Sequence, residues 1–256
     1  MNVISWPTMK YVLSAAVRDR LIIAMLIVMG VGGALAVFLG TAAYIEKYQF
    51  VLVFSAAGIR ILTVLGLVLF CVFFIRRSFD NKDVDYLLSR PISRVSFIVS
   101  HAAAFTVIAA LLAVAGQIVV YFSAPITFGS WQLVWTLSLF FELMIMANAA
   151  LFFSMVLPSA STSAMVVFGL YILSRTIGIL LGIVTSSLTV SPMMKGLGFV
   201  MKFISTIIPR LDLMVQTNWL IYGVENISVW FICAQGLIFS GVLITAATVD
   251  LVRRQF

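Results

Sequence analysis

Residues 21–40 read LIIAMLIVMGVGGALAVFLG, a run with no charged side chain. A helix rises about 1.5 Å per residue, so roughly 20 residues cross the ~30 Å hydrocarbon layer of a bilayer. Backbone groups in lipid must bond internally, which leaves helices or closed barrels. The run is continuous rather than alternating, so it reads as a spanning helix. The rest of the chain repeats the pattern. Of 256 residues, 63% are hydrophobic and only 10% charged, with a mean hydropathy of +1.18. A water-soluble domain of this length could not place so many apolar side chains inside itself. Further apolar runs at 57–75, 98–121, 131–157, 163–187 and 229–249 bring the expected spans to six. The expected fold class is an all-α, polytopic membrane protein forming a single transmembrane domain over residues 1–256. An amphipathic stretch precedes the first run and no convincing small-residue cleavage site breaks its far end. The first span is therefore expected to be a retained anchor.

Six spans place both termini on one side, and basic residues indicate which. Lys10, Arg18 and Arg20 precede the first span; Arg76, Arg77, Lys82, Arg90 and Arg94 separate the second from the third; Arg253 and Arg254 follow the last. The opposite loops hold only Lys47, Lys195, Lys202 and Arg210. The positive-inside rule then puts both termini and the 76–97 segment in the cytoplasm. Tyr121, Trp131, Trp135, Trp219, Tyr222 and Trp230 cluster where the spans would emerge on the far side, as interfacial anchors do. The net charge of +7 thus reflects topology. Its residues are spread over separate loops, and the expected partner is the lipid bilayer, with no nucleic acid.

Few residue patterns point to catalysis. Cys71 and Cys233 both fall inside spans, which suits neither a disulfide framework nor a metal site. His101 stands alone near the start of the third span, where a helix-end histidine is the plainest reading. The chain has no GxxxxGK[ST] phosphate loop, no HExxH, no GxSxG and no acidic cluster within one span. No catalytic residue, cofactor site or metal site is assigned, and the chain is not expected to be an enzyme. Gly32, Ala36 and Gly40, and again Ser174, Gly178, Gly182 and Ser186, recur at spacing four. Such strips let helices approach closely.

The segments outside the spans are more informative. In residues 1–20, Trp6, Met9, Leu13, Ala16 and Val17 recur at helical spacing opposite Lys10, Ser14 and Arg18. That predicts a cytoplasmic interfacial helix with Pro7 in its first turn and its apolar face in lipid. In the 76–97 segment, a short helix is expected from Phe79 to Leu88, with Val84, Leu87 and Leu88 on one face and Asp80, Asp83 and Asp85 elsewhere. Its acidic start suits a helix N-terminus, and Pro91 ends it by pushing Arg90 out of the helical region. Ser93 can cap a new helix running through Arg94 into the third span. These residues describe either a stiff lever joining two spans or an ordinary solvated loop.

Between the fifth and sixth spans, within an external segment 188–228, residues 193–210 read MMKGLGFVMKFISTIIPR. Lys195, Gly198, Lys202 and Ser205 fall on one face, Met194, Leu197, Met201, Ile204 and Ile208 on the other, and Pro209 stops the helix. It is too polar on one side to span lipid alone. The alternative, a seventh span, would put Arg253 and Arg254 outside. Inside the spans lie Arg60, Glu142 and Arg175, each costly in a membrane and expected to face protein or a functional path. Similar depths predict that Glu142 pairs with Arg175, with Arg60 near. A structural pair and a substrate-binding role are both open. Gln117 and Asn148 can join that network or form lone interhelical hydrogen bonds.

DYLLSRPISRVSFIVSH (85–101) closely resembles the segment after the second span of ABC-2-type permeases, where an LLSxPxSRxxF run recurs. IIPRLDLMVQTNWLIYG (207–223) is similar to the P-x-L-D segment before their last span, and the likeness covers essentially the whole chain. The resemblance implies the membrane subunit of an ABC exporter in a prokaryotic cytoplasmic membrane. A separate ATPase subunit, binding ATP and Mg, and a second permease copy or paralogue would complete the transporter. Asp80, Asp83, Asp85, Leu87, Leu88, Arg90, Pro91, Ser93 and Arg94 would then form the coupling element, with Leu87, Leu88 and Pro91 as its docking surface. Residues 193–208 would be an external re-entrant helix, with Lys195, Lys202, Pro209 and Asp212 around it. The competing readings are a non-transporting membrane scaffold that docks a cytoplasmic partner, and a membrane-embedded lipid-modifying enzyme.

Overall fold

The computed structural model describes residues 5–42, 46–81, 93–124, 129–186, 192–223 and 228–253. Among them the chain is helical throughout, without strands. Its elements are α1 (Trp6–Arg18), α2 (Leu21–Gly40), α3 (Lys47–Asp80), α4 (Arg94–Ser123), α5 (Ser130–Val156), α6 (Ala160–Ser186), α7 (Pro192–Ile207), a 3-10 turn (Leu211–Leu213), α8 (Trp219–Tyr222) and α9 (Val229–Arg253). Six of these, α2 to α6 and α9, are long and apolar enough to cross a membrane. Their outer faces carry exposed apolar side chains such as Val31 and Phe38 on α2, Leu111 and Ile118 on α4, and Ile172 and Ile179 on α6. So wide an apolar surface suits lipid rather than water. The architecture is that of a multi-pass membrane protein.

α5 is the central helix. Of its most apolar 18-residue stretch 78% is buried, against 22% for α2, α6 and α9. It packs against α3, α4, α6 and α9. The close approaches are made by glycine: a Cβ on Gly236 of α9 would overlap the Phe141 ring of α5. On α2 the buried face is Met25, Met29, Gly33, Ala36 and Gly40. Gly33 rather than Gly32 is the tight contact, because a Cβ there would come within 2.6 Å of Val119 on α4, whereas one at Gly32 would meet Leu62 at an ordinary 3.6 Å.

Three expectations shift. The second span is much longer than its apolar core, since α3 runs 34 residues, about 51 Å at ~1.5 Å per residue. Phe79 and Asp80 belong to its last turn instead of opening a separate helix. Asp80 pairs with Arg76 one turn earlier, at 3.2 Å, which favours continuing the helix. Asp83, Asp85, Leu87, Leu88, Arg90 and Pro91 lie outside the described residues. Second, α1 packs on α4 through Thr8, Val12, Ala15 and Ala16, and the Ser5 amide donates to Ser100 Oγ at 2.8 Å. Met9 and Leu13 are half-buried against the core, and Trp6 and Val17 stay exposed. The expected lipid face therefore keeps Trp6 and Val17 outside, while a neighbouring face, not expected to pack, turns inward; Thr8 enters it with its hydroxyl bonded to Ser5 at 3.0 Å. Third, Trp135 and Trp219 are core residues at 0% and 2% exposure, not interfacial anchors. Of the six expected anchors, Trp131, Tyr121, Tyr222 and Trp230 are exposed.

At the α1 end of the bundle, arginines cap helix C-termini. Arg76 donates to Leu157 O at 3.0 Å and Pro158 O at 2.5 Å, just past the end of α5. Arg94 donates to Leu251 O at 3.1 Å and Val252 O at 3.2 Å at the end of α9. A guanidinium is well placed there, opposite unpaired carbonyls and the negative end of the helix dipole. Ser93 caps α4, its hydroxyl accepting from the Ser96 amide at 3.1 Å. Both roots of the 82–92 segment are therefore fastened to the bundle.

Candidate functional site: an arginine-clamped turn inside the bundle

Pro209 ends the α7 stretch by removing a donor and fixing its own φ. The chain then makes the 3-10 turn Leu211–Leu213 and reaches Val215, which adopts a left-handed φ of +48°. A β-branched residue is strained in that region, at a cost of about 1–3 kcal/mol. Leu211, Met214 and Val215 are fully buried. Irregular backbone buried this way needs donors and acceptors from elsewhere, because the 3-10 turn pairs only part of it, the Met214 amide donating to Leu211 O at 3.0 Å and the Leu213 amide to Arg210 O at 3.2 Å.

Three helices supply them. Arg175 of α6 donates through Nη1 to the carbonyls of Leu211 and Met214, the latter at 2.7 Å. Arg60 of α3 donates to Val215 O at 2.9 Å. Ser138 of α5 accepts from the Val215 amide at 2.9 Å. Asp212 folds back on Arg210, with bonds of 3.2 and 2.7 Å from Nε and Nη2, and these hold the Arg210 pKa above its ordinary value. The Gln216 side chain donates to Asp212 O at 3.1 Å. Asp212 itself lies on α6 at Gly178, where any Cβ would overlap its carboxylate. The small-residue strip on α6 thus receives a turn. Ser174 is buried and Gly178 is in contact, while a Cβ at Gly182 would meet nothing within 4 Å.

Glu142 is fully buried in the same place. Arg175 Nη1 stands 4.0 Å from Glu142 Oε2, an ion pair at the outer edge of contact. The Tyr171 hydroxyl lies within interaction range of the Glu142 carboxylate and the Arg60 guanidinium, without good hydrogen-bond geometry to either. The structure therefore brings Arg60, Glu142 and Arg175 together, but around a peptide turn. The arginines spend their hydrogen bonds on backbone carbonyls, and Glu142 balances charge behind them.

The other nominated residues lie elsewhere. Gln117 accepts from Thr136 at 3.0 Å between α4 and α5, and Asn148 donates to Met144 O of its own helix at 2.8 Å. His101 is buried, bonds Phe97 O at 2.8 Å and lies tilted against the Phe97 ring with centroids 4.2 Å apart. Pro209 is buried at the entry to the turn and Lys202 is exposed on α7. The Lys195 side chain lies outside the described residues. Sequence reasoning missed Ser138, Tyr171 and Val215. Ser138 and Tyr171 stand one helical turn from Glu142 and Arg175, so an i, i+4 search from each charge finds both. Val215 left no trace, since nothing in a valine announces a positive φ. Among the described residues no group of three His, Cys, Asp or Glu could hold a metal. No family model matches the chain and no curated protein matches it.

Proposed function

We propose that the chain is the membrane-spanning permease subunit of an ATP-driven ABC exporter. Both termini and the 76–97 segment would face the cytoplasm, and α7 with its following turn would form an external re-entrant element. ATP and Mg belong to a separate ATPase subunit, and a second permease copy or paralogue completes the transport path. The resemblance of 85–101 and 207–223 supplies the family. The observation that carries the mechanism is that α5 is tied at both levels. Near one end its last carbonyls are held by Arg76, beside the root of the coupling segment. In the interior its Ser138 holds the strained turn. A push on the segment then shifts α3 and α5 against α6 and loosens the turn that α3, α5 and α6 jointly clamp. A two-state element biased by a remote site is what such coupling requires.

The test is co-expression of the chain with an ATPase encoded beside it, followed by purification and nucleotide turnover in proteoliposomes. The expected result is a stable complex whose ATPase activity depends on this chain, with Leu88→Asp or Pro91→Ala lowering turnover while the chain stays folded. A complex with a partner lacking ATPase activity would replace the transporter by a scaffold. Lipid modification by the chain alone in detergent would replace it by an enzyme.

A further inference from the structure

A cavity of about 270 Å³ lies between α1 and the last turns of α3, at the end of the bundle where Arg76 and Arg94 cap their helices. One wall is aromatic: Tyr11 faces Phe74 with ring centroids 6.0 Å apart, and Phe73 stands beside them, 54% exposed on the outer face. The other wall is polar, with Arg18, Arg77 and Asn81 and the single carboxylate of Asp19. The two guanidiniums exceed that carboxylate by one positive charge. Among the described residues neither takes part in a hydrogen bond or ion pair, whereas Arg76, next to Arg77, is committed to the end of α5. α1 is fixed against α4 by the Ser5 and Thr8 contacts, so Arg18 is presented from a settled element.

We propose that this cavity binds the phosphate group of an anionic glycerophospholipid. Arg18 and Arg77 receive the phosphodiester oxygens, Asn81 donates to the headgroup, and an acyl chain leaves along the exposed Phe73. Two guanidiniums suit a phosphate because each offers a planar pair of donors, and basic pockets at helix ends are where anionic headgroups bind. The aromatic wall selects lipid over free phosphate, which has no apolar part to bury. The proposal rests on placement in a membrane and not on any ATPase partner, so failure of the transporter reading leaves it standing.

The test is native mass spectrometry of the full chain in detergent with phosphatidylglycerol and phosphatidylcholine in equal amounts. Wild type is expected to retain phosphatidylglycerol in roughly ten- to thirtyfold preference, the scale of two basic groups at a membrane surface. The pair Arg18→Gln with Arg77→Gln is expected to abolish that preference. The pair Lys10→Gln with Arg20→Gln removes the same charge outside the cavity and is expected to keep it. Asn81→Asp, which adds a negative charge at the polar wall, is expected to weaken retention with only a small fall in melting temperature from an acid at the end of α3. Equal loss in both double variants would overturn the site in favour of general surface charge. Displacement of the lipid by inorganic phosphate or by glycerophosphoglycerol at matched concentration would overturn the lipid assignment in favour of free phosphate.

Discussion

Two pairs of arginines do the same chemistry in different surroundings. Arg76 and Arg94 place guanidiniums on the carbonyls at the ends of α5 and α9, while Arg60 and Arg175 place theirs on the carbonyls of the 211–215 turn. At the helix ends the donor supplements what water can do, because the last carbonyls of any helix lack intrahelical partners and face the aqueous boundary. Inside the bundle Leu211 O also accepts from the Met214 amide, but among the described residues the Met214 and Val215 carbonyls have the arginines alone. An orphaned buried carbonyl keeps the full cost of losing its solvent. The same bond is an accessory in one place and a condition of the fold in the other.

Arg175→Leu should give the largest effect. It removes the donor to two buried carbonyls and one of the two guanidiniums near Glu142, for a loss of about 3–5 kcal/mol read as the greatest fall in melting temperature in detergent. The exchange of Glu142→Arg with Arg175→Glu should not restore stability, since a carboxylate would then face the Leu211 and Met214 carbonyls. Recovery in that exchange would show that the ion pair, and not the turn, is what Arg175 serves. Gly178→Val should follow, at about 1–3 kcal/mol for a side chain forced against a packed neighbour, and should expose a cysteine placed at Leu213 to labelling. Equal labelling in the presence and absence of the valine would separate Asp212 from the α6 strip.

Val215 sharpens the comparison. Val215→Ala loses buried surface and keeps the left-handed backbone, whereas Val215→Gly loses one further methyl and relaxes it. The glycine variant is expected to be the more stable by up to about 1 kcal/mol, the penalty for a Cβ in that region less the burial of the lost methyl. The smallest effect belongs to Arg76→Gln, about 1 kcal/mol or less, with a distinct rise in hydrogen exchange confined to the last turn of α5. If Arg76→Gln destabilised as much as Arg175→Leu, the distinction between the two settings would fail.

The six spans were legible because lipid imposes a length and a composition that few other structures share. The candidate site was half legible. Arg60, Glu142 and Arg175 stand out because ionisable residues inside apolar runs are rare, and their similar depths bring them together. What they bind did not show, since a backbone carbonyl is present at every position and no side chain marks which one is orphaned. The face that α1 packs against the bundle went unseen for a related reason. Thr8 counts as polar in any periodicity, yet it enters the protein once Ser5 takes its hydroxyl. The extent of α3 was underestimated because its ends, Lys47 and Arg76 to Asp80, are too polar to register as membrane although they continue the same helix.

The positive φ of Val215 also has a bearing on timing. A backbone held against its preference stores energy only while its clamps are closed, so letting go is the downhill stroke and re-forming the turn is the uphill one. At about 1.4 kcal/mol per factor of ten, a strain of about 1–3 kcal/mol tilts the turn alone from roughly fivefold to a little over a hundredfold toward release. In a cycle of the proposed kind, the strain would lower the work of opening the turn and add to the work of closing it again.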